Sequence, residues 1–211
     1  MCTRYYVESW SDKLAPIIET AEKSPLISHF EESGYKIKMA GEIAPSLVVP
    51  AIASSRNGMK SVFPMRWGYK EKFSRTLIVN ARIESALSKV LFSDSLKSRR
   101  CIIPASWYYE WQHYTDENGK TKTGDKFKIK PVDESITWLC GIYRFEEELP
   151  VFTILTREPS ENLKGIHNRM PLIFHEDNIE KWIDPASNPS ELIGQALTDV
   201  IIEKAKQETV S

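Results

Sequence analysis

Cys2 stands directly behind Met1. Cytosolic processing removes an initiator methionine ahead of a residue this small, which leaves Cys2 carrying a free α-amine and a thiol two carbons apart. In unstructured peptides such an amine titrates near about 8 and such a thiol near about 8.5, so both are nucleophiles around neutral pH before the fold tunes either. A 1,2-aminothiol traps an aldehyde in two steps: the amine forms an imine, and the thiol closes a five-membered thiazolidine on the same carbon. The second nucleophile is tethered to the first, so closure is intramolecular. Position alone favours an inert cysteine that happens to follow Met1, and the rest of the chain has to overturn that reading.

Glu110 lies between Tyr109 and Trp111. Walled in by those rings, a carboxylate would have a raised pKa suited to proton transfer; turned outward on an alternating strand, it would be a solvated glutamate. His167 precedes an apolar run and titrates in the range of a proton shuttle, or serves its loop structurally. Asn80 and Arg82 can hold a sugar and a phosphate, the arginine through its planar fork; alternatively they are a helix-entry residue and an ion-pair partner. The four histidines and three cysteines have no metal-ligand spacing. There is no phosphate-cradling glycine loop and no G-x-S-x-G elbow.

These candidates sit on a chain of 211 residues, 41% hydrophobic and 27% charged, which fits one soluble domain. No run is long enough to span a membrane, and no apolar segment follows the start as in a signal peptide. Cys101 and Cys140 fall in apolar, β-like runs and read as core residues, in keeping with a reducing compartment. The net charge of −1 conceals a basic stretch from Arg56 to Arg82, with Arg56, Lys60, Arg66, Lys70, Lys72, Arg75 and Arg82 against Glu71 alone. Phe63, Trp67, Tyr69 and Phe73 are interleaved with it, which suits either a nucleic-acid groove with stacking platforms or a solvated loop with core aromatics.

The elements that must position these groups are short. Thr3–Val7 alternates as a strand, which would let the terminus leave a sheet edge. Ser11–Glu22 has helical spacing, with Pro16 tolerable only in a first turn, and Pro25–Ser33 forms a second helix between Ser24 and Gly34. Tyr35–Trp67 reads as strands, two of them joined at Asn57-Gly58. Lys70–Arg75 reads as an exposed basic loop, Thr76–Val79 as a strand, and Ile83–Leu91 as one helix. Strands follow over Cys101–Pro104, Trp107–Trp111, Lys126–Lys130, Ile136–Phe145 and Val151–Thr156, with a turn at Asn118-Gly119. Helices near Asn178–Ile183 and Ser190–Leu197 close the chain, and residues 198–211 read as a frayed tail. This order implies an α+β fold: a single compact domain over 1–211, largely antiparallel, twisted and barrel-like at its core, with short flanking helices.

Five segments occur together and in order: Met1-Cys2-Thr3-Arg4, Met65–Gly68 (MRWG), Asn80–Ser85 (NARIES), Arg99–Trp111 (RRCIIPASWYYEW) and Ile166–Ile173 (IHNRMPLI). From Cys2 to about Trp182 the chain resembles the SOS response-associated peptidases, which process abasic sites in DNA. The resemblance implies a charged groove for abasic single-stranded DNA and a thiazolidine crosslink between mature Cys2 and the ring-opened deoxyribose. It also implies lyase and autoproteolytic side activities, no metal and no small-molecule cofactor. Cys2 would be the nucleophile, Asn80 would position terminus and sugar, and Glu110 and His167 would be the acid–base pair. Arg4, Trp67, Arg82 and Arg169 would line the DNA. A monomer is expected, off the membrane: in the cytoplasm on the nucleoid for a bacterial host, in the nucleus for a eukaryotic one. Thr3 and Trp107 stand where the family favours glycine, and Tyr69–Phe73 departs from its usual segment. Two rivals remain: a glutamine amidotransferase-like N-terminal-nucleophile hydrolase, which would release ammonia, and a non-catalytic single-strand-binding module, which would bind intact and abasic DNA alike.

Overall fold

Ser106 is the corner of the molecule. In the computed structural model, which describes residues 2–71, 74 and 76–205, it separates β6 (Arg100–Ala105) from β7 (Trp107–Thr115). Its amide donates to Tyr6 O at 2.8 Å and its hydroxyl accepts from the amide of Glu8 at 2.9 Å. The chain thereby passes from one sheet into another.

The first sheet closes on itself. β3 (Val48–Ser54) and β4 (Lys60–Trp67) form a hairpin whose turn holds Gly58 at φ +77°. β3 pairs with β6, and β6 with β9 (Thr137–Glu146). β10 (Leu149–Arg157) then pairs antiparallel with β9 and parallel with β4, completing a five-stranded barrel. Leu149–Thr156 is buried at every position, as a strand covered on both faces must be. Gly141 of β9 lets neighbours approach: a Cβ there would lie 2.7 Å from Ile103 Cδ1 and 3.1 Å from Thr153 O. β5 (Asn80–Arg82) runs parallel to β10, while β11 (Met170–Pro171) and β12 (Ile173–Phe174) extend the sheet beyond the barrel.

The second sheet is open and antiparallel, in the order β13 (Val200–Lys204), β8 (Thr121–Pro131), β7, β1 (Arg4–Val7) and β2 (Gly41–Ile43). Its inner row, Ile43–Tyr5–Tyr108–Ile129–Ile202, faces the core. Helices α1 (Ala15–Glu22), α2 (Leu26–Glu32), α3 (Ile83–Ala86), α4 (Val90–Ser98), α5 (Ile179–Ile183) and α6 (Pro189–Ile193) complete an α+β fold that is mostly strand.

Several sequence expectations change. β1 is not at an edge, because the three-residue β2 covers it. The helix expected over Ile83–Leu91 is two: Lys89 is extended (φ −86°, ψ 121°), and α4 continues to Ser98. Asn80 and Arg82 lie in a strand rather than after one. Val200–Lys204 is not frayed but pairs along β8, drawn in by Val200 and Ile202 packing on the core. Lys72, Phe73 and Arg75 of the expected basic loop, and the tail beyond Ala205, lie outside the described residues.

Candidate active site at the seam between the sheets

Cys2 precedes β1 and is fully buried where the two sheets meet. Asn80, on the strand attached to the barrel, donates Nδ2–H to Cys2 O at 2.9 Å and so pins the terminus of the open sheet to the closed one. The Oδ1 of Asn80 has no hydrogen-bond partner among the described residues, although it is buried. The thiol of Cys2 makes a weak contact with Arg4 O at 3.8 Å. Burial pushes this thiol far above its ordinary range, and the neighbouring Glu110 carboxylate raises it further. The fold therefore stores Cys2 as a neutral thiol, in contrast to the partly ionised thiol expected from free cysteine.

Glu110 enters from β7. Alternation along that strand turns Tyr108 and Glu110 inward and Trp107, Tyr109 and Trp111 outward, so the walled-in reading holds. Glu110 is 2% exposed. Desolvation lifts its carboxyl to about 7, against the pull of the positive amino terminus. A carboxyl in this state both gives and accepts a proton near neutral pH.

His167 comes from the loop after β10. A bulge in β7 between Trp111 and His113 reaches that loop: Gln112 Nε2 donates to Gly165 O at 3.4 Å and His113 N to Ile166 O at 3.3 Å. Nδ1 of His167 lies 3.0 Å from the backbone N–H of Arg169, which donates to it, and 3.2 Å from Arg169 O; the shorter contact makes Nδ1 the acceptor in the neutral ring and assigns its proton to Nε2. Burial and then the positive amino terminus lower this imidazole to about 4. The His113 ring lies 5.4 Å away at 69°.

Arg169 itself is turned inward. Its two Nη atoms bind both carboxylate oxygens of Glu84 at 2.9 and 2.7 Å, and Nη2 also donates to Thr156 O at 2.7 Å. It clamps α3 to the histidine loop and is buried. Trp67 takes the core position that was the alternative to a stacking platform. It is completely buried, stacked on Phe152 (6.1 Å, 9°), with its indole N–H on Val79 O at 3.0 Å. Barrel closure turns the end of β4 into the core, and Gly68 (φ +111°) makes the exit, where a Cβ would strike Leu77 Cβ at 2.9 Å. Arg82 is exposed and Arg4 partly so, its Nε 3.4 Å from Glu42.

Three cations of the basic stretch have partners within the protein, while Arg56 and Arg82 are exposed. Arg66 is buried against Glu146 at 2.7 Å, Lys60 pairs with Glu180 at 2.9 Å, and Lys70 donates to Tyr35 Oη at 2.9 Å. Sequence reading missed Glu84, His113 and Gln112. Glu84 stands in the same NARIES segment as Asn80, and that segment is the signal that would have pointed to it.

The model of the SOS response associated peptidase (SRAP) family matches residues 1–211. The chain belongs to this family. Among its SRAP relatives, the abasic site processing protein YoaM of Bacillus subtilis is 31% identical over 165 residues, covering 74% of this chain and 70% of YoaM. YoqW of Bacillus phage SPbeta is 33% identical over 136 residues, covering 62% of this chain and 58% of YoqW. The abasic site processing protein HMCES of Gallus gallus is 31% identical over 157 residues, covering 60% of this chain and 46% of HMCES. The SRAP fold also matches a phage-related protein of Bordetella bronchiseptica (TM-score 0.71, 18% identity, 98% and 95% of the two chains). A protein of Bacteroides thetaiotaomicron matches similarly (TM-score 0.70, 20% identity, 98% and 93%). No described helix is long and apolar enough to cross a membrane, and no described group of three or more His, Cys, Asp or Glu residues is arranged to hold a metal ion.

Proposed function

We propose that this protein processes abasic sites in single-stranded DNA by forming a thiazolidine crosslink through mature Cys2. One observation carries the reading: a pinned, buried Cys2 beside a carboxyl that desolvation raises to about 7, on the same seam as an imidazole that burial lowers to about 4. Relatives named as abasic site processing proteins support the substrate class.

An abasic deoxyribose is mostly a closed hemiacetal, so the ring must open first. His167, neutral down to about pH 4, serves as a hydrogen-bond donor through Nε2–H to the ring oxygen, while Glu110 gives and takes the proton. This divides the roles differently from a protonated histidine acting as the acid. The amine of mature Cys2 gives its proton to Glu110 and attacks C1′. The carbinolamine loses one water to form the imine. The thiol, held neutral by burial, then adds to the imine carbon, and its proton ends on the former amine nitrogen. The sum is aldehyde plus aminothiol giving thiazolidine plus water.

A high thiol pKa makes the amine react first, so ring closure is the committing step. Closure removes the imine and suppresses loss of the C2′ proton to Glu110, the step that would cleave the strand. Shielding from bulk water protects the imine from hydrolysis in the interval. Arg4 and Arg82 bind flanking phosphates, and Arg169 positions His167. Strand cleavage and removal of the residue ahead of Cys2 are secondary activities of the same groups, within one domain over 1–211. Purified protein mixed with abasic single-stranded DNA gives an adduct that survives heating in denaturant. Cys2→Ala gives none, and an equally stable adduct from that variant would overturn the assignment.

A further inference from the structure

The open sheet carries an aromatic, basic face that the proposed chemistry does not use. Register places its side chains in rows on the side away from the core. One row is Arg4–Tyr109–Lys128–Glu203, a second is Glu42–Tyr6–Trp107, and a third is Trp111–Lys126. Tyr6 and Trp107 stack 4.7 Å apart at 2°, and the Trp107 and Tyr109 rings meet edge to face at 6.4 Å. Lys128 Nζ lies 3.8 Å from the Trp107 ring centre, and Lys126 Nζ lies 3.8 Å from that of Tyr109. Among the described residues of these rows, Arg4, Lys126, Lys128 and Lys130 stand against Glu42 and Glu203, four positive groups against two negative. The indole N–H of Trp107 has no hydrogen-bond partner among the described residues.

We infer that this face is a second binding track, on which single-stranded DNA flanking the lesion stacks its bases on Trp107 and Tyr109 and sets its phosphates against Lys126 and Lys128. The inference deepens the crosslinking reading and rests on it for the identity of the strand. Charge complementarity selects the occupant: a polyanion with planar bases matches alternating rings and cations, whereas a second copy of this chain would bring the same positive face. Sheets that present aromatic rings flanked by cations take up single strands in this way, tolerant of sequence because every base has a π-face. Side chains on alternate positions of β7 are about 7 Å apart along the strand, so consecutive rungs engage successive bases of a stretched chain. The lysines sit over the rings in the absence of DNA. A base arriving there displaces the ammonium group toward a phosphate, so the ring and the charge are both reused. Arg4 ties the track to the site, since it shares a row with Tyr109 and is two residues from Cys2.

The test separates length from chemistry. Fluorescence anisotropy is read on undamaged single strands of about 6 and about 16 nucleotides, and crosslink yield on an abasic strand of about 6. Lys126→Ala/Lys128→Ala is expected to lose about tenfold in affinity for the long strand, with a salt slope shallower by about 1 to 2, and to crosslink the short strand as the parent does. Trp107→Phe, which keeps a ring, retains long-strand affinity; Trp107→Ala loses several-fold with the salt slope unchanged. Circular dichroism confirms that each variant is folded. Unchanged long-strand affinity in the double variant overturns the proposal. So does a parallel loss of short-strand crosslinking, which would place the lysines in the cleft. A loss seen equally with a polyglutamate peptide and independent of Trp107 would assign the face to an acidic protein and overturn it too. Absence of any crosslink from the parent sinks the preceding reading and leaves the length dependence standing on binding alone.

Discussion

The barrel and the seam both bury charged or polar groups, and they treat them in opposite ways. In the barrel, Arg100 is 1% exposed, and every nitrogen of its guanidinium donates to backbone oxygen: Nε to Trp182, Nη1 to Leu96 and Lys97, and Nη2 to Asp184 and Ser187. Four of those carbonyls lie at the C-terminal ends of α4 and α5 and the fifth, that of Ser187, in the turn after α5, so one side chain caps two helices. At the seam, Cys2 and Glu110 are as deeply buried, but burial is met there by a change of proton occupancy. A charge buried for architecture is saturated with partners. A group buried for chemistry is left able to exchange its proton.

That contrast breaks most visibly in the barrel. Trp67→Ala should cost about 3–5 kcal/mol in denaturant unfolding, as core tryptophan truncation does, while crosslink yield per folded molecule stays at the parental level. A specific loss of DNA binding without loss of stability would instead restore Trp67 to the DNA surface. Arg100→Leu should cost about 3 kcal/mol, because the carbonyls at two helix ends lose their donor. A stability change within experimental error would mean that water replaces the arginine.

At the seam the signs reverse. Glu110→Gln should slow crosslinking about a hundredfold in single-turnover kinetics while leaving the protein at least as stable as the parent. The pH dependence sharpens this. Glu110 holds its proton more tightly folded than unfolded, so its contribution to stability is present below about pH 4.5 and is lost as pH rises to about 7. His167 is held neutral by the fold, so its contribution is present above pH 6.5 and is lost as pH falls to about 4. Between about 4.5 and 6.5 the two slopes oppose. Glu110→Gln should therefore stabilise the protein at pH 8, by up to about 3 kcal/mol, and expose a steeper loss on acidification. A melting profile against pH that matches the parent would remove Glu110 from its raised state. Smallest of all, Asn80→Ala should slow crosslinking about tenfold and lower stability by about 1 kcal/mol, the worth of one hydrogen bond to the terminus.

The sequence made the closed half of the fold legible where local chemistry dictated it. Asn57-Gly58 set the β3–β4 hairpin, and Pro16 in its first turn marked α1. Legibility failed where distant pairing decides. Apolar residues at Ile83, Ala86, Leu87, Val90 and Leu91 suggest one helix, yet the break before α4 leaves Val90 93% exposed. Gly41–Ile43 lies within the β-like stretch Tyr35–Trp67, but nothing local marks it as a separate strand beside β1; β1 recruits it. The sequence leaves Trp67 open as a stacking ring among cations or a core aromatic, because the inward turn of β4 exists only once β10 closes the barrel. At the candidate site, the ordered motifs singled out Cys2, Asn80, Glu110 and His167. Their proton states were not, since burial at a seam between two sheets is a property of neither segment alone.

The central claim is that one carbon of the damaged sugar becomes bonded to both nucleophiles of Cys2. Peptide mass spectrometry of the protease-digested adduct tests it directly. The expected product is the N-terminal peptide starting at Cys2, heavier by the sugar remnant less one water, and formed in equal yield with or without borohydride. Attachment to a lysine, or an adduct recovered only when borohydride traps an imine, would contradict the account.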